Sequence, residues 1–144
     1  MDDRRFVDEL MAAVPQAFTE RDAEDFREDP LTYTALGHAR IWLEAHALQV
    51  SSFPRTTRVR TEHVRVFQRF WDFVERQACS GKGDGELETL LQIECFEGVG
   101  WVDDVSTYLG PRTRELLSEA RRWLADYNDQ VGRWGRQVRP ISGS

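Results

Sequence analysis

The segment from Thr56 to Cys79 limits the possible folds more than any other part of the chain. Val59, His63, Val66, Phe67, Phe70, Trp71, Phe73, Val74 and Ala78 fall on one broad face at a period of 3.6 residues, the repeat of an α-helix and not of a strand. A helix with so bulky an apolar face is stable only when other elements cover it. The same period recurs along the chain. Phe6, Val7, Leu10, Met11 and Val14 predict a helix over 3–14 that Pro15 stops. Residues 16–28 read as a more polar segment anchored only by Phe18 and Phe26. Asp29-Pro30 has the form of an Asx cap with proline at the first helical position. The helix it would open carries Leu36, Ala39, Leu43, Ala47 and Val50 on one face and ends near Ser51-Ser52, before Pro54. Gly110-Pro111 reads as a C-terminal glycine cap and a restart. Leu116, Ala120, Trp123, Tyr127, Val131 and Trp134 then place a final amphipathic helix over 112–134. No strand pattern and no internal repeat competes. The expectation is an all-α, single-domain bundle of about five helices over residues 1–136, with a flexible C-terminal tail over 137–144.

Length and composition agree with one self-sufficient core. The chain has 144 residues, 40% hydrophobic, with eight Phe and five Trp, which excludes disorder and needs no staples. A net charge of −6 argues against nucleic acid as a partner and favours a basic protein. No apolar run approaches the roughly 20 residues of a membrane span. The two cysteines, Cys79 and Cys95, make no disulfide framework, and Asp2 and Asp3 follow the initiator where a secretory segment would be apolar. These features predict a cytoplasmic protein with reduced thiols.

Two charge patterns stand out. From Gly83 to Pro111 there are seven carboxylates and no Lys or Arg. At helical spacing, Leu87, Leu91, Cys95, Gly98, Val102, Val105 and Leu109 form an apolar seam suited to the core. Glu86, Leu90, Ile93, Glu94, Glu97, Trp101, Asp104 and Tyr108 form a mixed acid–aromatic sector beside it. Glu94, Glu97, Trp101, Asp104 and Tyr108 are the candidate protein-binding residues of that sector, with Trp101 as anchor. On the preceding helix, Arg58, Arg65, Arg69 and Arg76 lie within about 40° of one another, an anion-facing stripe. Glu62 and Asp72 are spaced to pair with Arg65 and Arg76.

Catalytic signatures are lacking. There is no nucleophile elbow and no zinc helix, and the Ser80–Gly85 linker lacks the pattern of a phosphate loop. His38 and His46 have no third ligand in phase and read as structural. Cys95 lies in the apolar seam, where a thiol is packing. No catalytic residue, metal ligand or cofactor is assigned. The exception that merits weighing is a pair of acid-x-x-acid motifs, Asp72/Glu75 and Glu94/Glu97, on consecutive helices. Two such pairs can hold Mg²⁺ for phosphate chemistry, as in all-α nucleotide pyrophosphohydrolases.

The block order FVDELMAAVPQA, LTYTALGHARIWL, LLQIECFEGVGW and YLGP resembles an uncharacterised bacterial all-α domain-of-unknown-function family. Arg40, Trp42, Leu90, Leu91, Phe96, Glu97, Leu109, Gly110 and Pro111 sit at its motif positions, while Gly98-Val99-Gly100 departs from its usual polar continuation. The resemblance implies no established enzyme activity and a likeness to small immunity proteins encoded beside secreted toxins. The expected function is a non-enzymatic helical protein-binding module, an immunity protein neutralising a basic toxin domain. The alternatives are a structural homodimer with no further partner, built on the arginine stripe, and a Mg-dependent all-α nucleotide pyrophosphohydrolase.

Overall fold

A computed structural model describes residues 1–51, 58–96 and 108–138, with the side chains of 46–51, 58–63, 124–125 and 127–138 left undescribed. The described residues form six α-helices and one 3₁₀ turn, with no strand among them. α1 is Asp3–Ala13, α2 Glu20–Glu28, α3 Thr32–Ser51, α4 Arg58–Ser80, α5 Gly85–Phe96 and α6 Pro111–Val138. The all-α single-domain bundle is the observed architecture, with one helix more than the periodicity suggested.

Local chemistry explains most boundaries. Asp2 caps α1 by accepting from the Arg5 amide at 3.1 Å. Pro15 then turns the chain into the 3₁₀ segment Pro15–Ala17. α2 begins at Glu20 rather than near Gln16, because Thr19 and Asp22 form a capping box there. The Asp22 amide donates to Thr19 Oγ1 at 3.1 Å, and the Thr19 amide donates to Asp22 Oδ2 at 3.0 Å. The Asp29-Pro30 start is displaced by two residues. Asp29 ends α2 by donating its amide to the Asp25 carbonyl, and α3 opens at Thr32. Thr32 Oγ1 donates to Asp3 Oδ1 at 2.9 Å, tying the start of α3 to α1. Between α4 and α5, Gly83 takes φ +92°, the left-handed conformation that suits glycine. Asp84 then caps α5 through the Leu87 amide.

The core runs through all the helices except α2. α4 supplies Phe67, Phe70, Trp71, Phe73, Val74 and Ala78, all buried as its period predicts. Trp71 stacks on Phe96 of α5 with centroids 6.1 Å apart, and Phe73 meets Phe6 of α1 edge-on at 5.2 Å. Leu36, Ala39 and Leu43 of α3, and Leu116, Leu117 and Ala120 of α6, complete the interior. α1 packs against α2, α3 and α4, while α6 covers α4 and α5. Leu87, Leu91, Cys95 and Leu109 of the expected seam are buried. Leu90 and Gln92 are buried too, so α5 is enclosed on a wider arc than the seam alone. Leu90 therefore belongs to the core and not to the mixed sector. Gly98, Val102 and Val105 lie outside the described residues.

Candidate functional site

The densest polar cluster joins α4, α5 and α6. α6 opens Gly110-Pro111, so its N-cap residue has no side chain with which to satisfy the first free amides. Glu75 of α4 supplies that cap from another helix. Its Oε1 accepts the Arg112 amide at 2.7 Å, and its Oε2 accepts the Thr113 amide at 3.1 Å and the Thr113 hydroxyl at 2.9 Å. The carboxylate also sits at the positive end of the α6 dipole. A Cβ at position 110 would run into the Glu75 carboxyl group, so glycine is there to let the cap approach. Its φ is not in the left-handed region, and the C-capping role read from the sequence gives way to this one. Burial alone would raise the Glu75 pKa, but the Thr113 and Arg112 amides and the Thr113 hydroxyl outweigh it and hold it below its ordinary value.

Arg112 extends the cluster. Its Nη2 donates to Glu88 Oε1 at 2.6 Å and its Nη1 to Glu115 Oε2 at 2.7 Å. Glu88 Oε1 also accepts the Gly83 amide at 3.0 Å, which with Arg112 holds its pKa down. Glu88 of the acidic stretch thus takes its counter-charge from another helix, 24 residues further along the chain. Cys79 Sγ donates to Glu75 Oε1 at 3.5 Å, and desolvation together with that carboxylate pushes the thiol pKa up. Cys95 is fully enclosed and burial raises its pKa strongly. Neither thiol is activated as a nucleophile.

A second polar cluster holds α2. His38 Nε2 donates to the Ala17 carbonyl at 2.8 Å and lies 3.6 Å from Asp22 Oδ2. Its ring packs against Phe18 and Phe26. His38 is a structural histidine. The side chains of His46 and His63 lie outside the described residues, and no cluster suited to a metal ion occurs among those described.

The acid–aromatic sector is described only at its two ends. Glu94 is half-buried, with its carboxyl group directed at the α3 backbone beside Gly37. Tyr108 is half-buried and stacks on Phe67 at 6.2 Å. Glu97, Trp101 and Asp104 lie outside the described residues. Of the acid-x-x-acid motifs, Glu75 has both oxygens engaged on α6, while Asp72 is exposed on the outer face of α4. Asp72 and Glu75 thus share no open site, and the second motif is described only at Glu94.

The arginine stripe is an exposed face. Arg65, Arg69 and Arg76 are exposed, and Arg58 lies on α4 with its side chain outside the described set. The expected Asp72–Arg76 pair does not form, and the Glu62 side chain is not described. An exposed i,i+4 pair on a single helix gains only about 0.3–0.5 kcal/mol, little enough for side-chain entropy to offset.

Sequence reasoning missed the Glu75 cap and the Arg112–Glu88 pair. The available signal was the opening Gly110-Pro111, a helix start with no capping side chain, which requires a partner from elsewhere. No helix among the described residues is long and apolar enough to cross a membrane. No protein-family model, curated protein or solved structure matches this chain.

Proposed function

We propose that this protein is a non-enzymatic helical binding module, an immunity-type protein that neutralises a basic toxin domain by covering its active surface. The observation that carries the reading is the engagement of its reactive groups in the fold. Glu75 caps α6, His38 ties α2 to α3, Cys95 is buried packing and Cys79 is bonded to Glu75. Among the described residues, Arg65, Arg69 and Asp72 on α4 and Arg21, Glu24 and Glu28 on α2 have no ion-pair partner within the chain, which suits recognition. A net charge of −6 steers the chain toward a positively charged surface and raises the encounter rate at low salt. The residues assigned to the partner are Glu94, Glu97, Trp101, Asp104 and Tyr108, with Trp101 as the apolar anchor.

The test is calorimetric titration of this protein into a basic toxin domain encoded beside it, at low and high salt. Tight binding that weakens with salt, together with loss of toxin activity at equimolar protein, is expected. The triple variant Glu94→Gln, Glu97→Gln, Asp104→Asn should bind at least about tenfold more weakly. Unchanged binding by that variant removes this face, and absence of any binding removes the immunity reading.

A further inference from the structure

The outer faces of α2 and α4 carry the same charge spacing in opposite sign. On α4, Arg65, Arg69 and Asp72 are exposed and lie within about 60° of one another around the helix. On α2, Glu28, Glu24 and Arg21 are exposed within a similar arc of about 60°. Followed along α4, the order is plus, plus, minus at intervals of four and three residues. Followed backward along α2, it is minus, minus, plus at the same intervals. At 1.5 Å per residue these steps are about 6 Å and about 4.5 Å on both helices. None of the six is within ion-pair distance of an opposite charge among the described residues.

From this we infer that the chain pairs with a second copy of itself, α4 of each protomer lying antiparallel against α2 of the other. Arg65 then faces Glu28 of the partner, Arg69 faces Glu24, and Asp72 faces Arg21. Both faces belong to one chain, so the same contact made twice about a two-fold axis closes the pair as a dimer. Asp72 decides between occupants. A phosphate backbone offers it no cation, whereas the second copy offers Arg21 at the matching step. α2 suits this role because none of its own residues is fully buried, which leaves its outer row available for contact. This pairing does not depend on the toxin-neutralising reading, and the experiment below measures self-association alone.

Sedimentation velocity over a concentration series at low and high salt should show a monomer–dimer equilibrium, with a dissociation constant rising about tenfold or more as salt screens the pairs. Arg65→Glu with Arg69→Glu should abolish the dimer, as should Glu24→Arg with Glu28→Arg. All four positions are exposed, so circular dichroism should show both variants folded. An equimolar mixture of the two reversed variants should recover a dimer, because each then meets an opposite row on both faces. A wild-type chain that stays monomeric at low salt overturns the proposal. So does a dimer indifferent to the reversals, a mixture that fails to associate, or open-ended growth beyond the dimer.

Discussion

At the residue scale, Glu75 matters most, because one side chain completes the start of the longest helix. Replacing it with Gln keeps one acceptor oxygen but puts an amide NH₂ where the second must accept. Glu75→Gln should therefore lose about 1–2 kcal/mol of stability, read as a lower urea midpoint at neutral pH. The pH dependence follows from the direction of its pKa. Glu75 titrates below its ordinary value of 4.5 in the folded chain. A depressed carboxylate contributes stability that is complete above the unfolded value and is lost as pH falls through the folded one. The wild type should accordingly lose stability in acid more steeply than Glu75→Gln, the two curves converging once the pH has fallen through the depressed folded-state value. Glu9, Asp22 and Glu88 are depressed as well, so an acid limb remains in the variant. Parallel curves for the two proteins would mean that the cap does not depend on the charge.

At the element scale, α2 is the least buried helix among the described residues. Nothing on it is fully buried, and it is held by the Thr19–Asp22 box, the Phe18–Phe26–His38 cluster and an Arg4 donation to the Arg27 carbonyl. An element with few buried contacts opens locally before the whole fold does. Thr19→Ala should cost about 1 kcal/mol, concentrated on this helix. Hydrogen exchange should show the amides of residues 20–28 losing protection about fivefold while those of α4 stay unchanged. Uniform loss across both helices would show that α2 opens only with the global fold. The sequence showed that a polar segment lay here but not its start, since Gln16 and Glu20 have similar propensities. The reciprocal side-chain bonds of the capping box settle the boundary.

At the scale of the whole molecule, the bundle is organised around Trp71. Its ring is fully buried, stacked on Phe96 and edge-on to Phe70 with centroids 5.0 Å apart. Trp71→Ala should remove about 3–5 kcal/mol, measured by chemical denaturation. An effect below about 1 kcal/mol would mean that the neighbouring helices collapse onto the cavity. Much of this interior was legible beforehand. Phe67, Phe70, Trp71, Phe73 and Val74 were assigned to one face by their period and are all buried together. Leu90 was misplaced because helical phase ranks positions around an axis without saying how wide an arc the neighbours cover. With α3, α4 and α6 all packed on α5, the enclosed arc exceeds the apolar seam.

The run of carboxylates between Gly83 and Pro111, the most conspicuous charge feature of the chain, marks the division between the two levels. The amino-acid sequence by itself determined the all-α class, the long amphipathic helices and the residues of the core, because these follow from a period that each segment carries alone. Only the tertiary structure decided what the charges do. Glu88 meets Arg112 from a helix that begins after the run ends, and Glu75 reaches across from α4 to cap that same helix. The physical reason is range. Apolar periodicity is a property of neighbouring residues on one helix, whereas a carboxylate takes its meaning from the amide or guanidinium that the packing of other helices brings within about 3 Å.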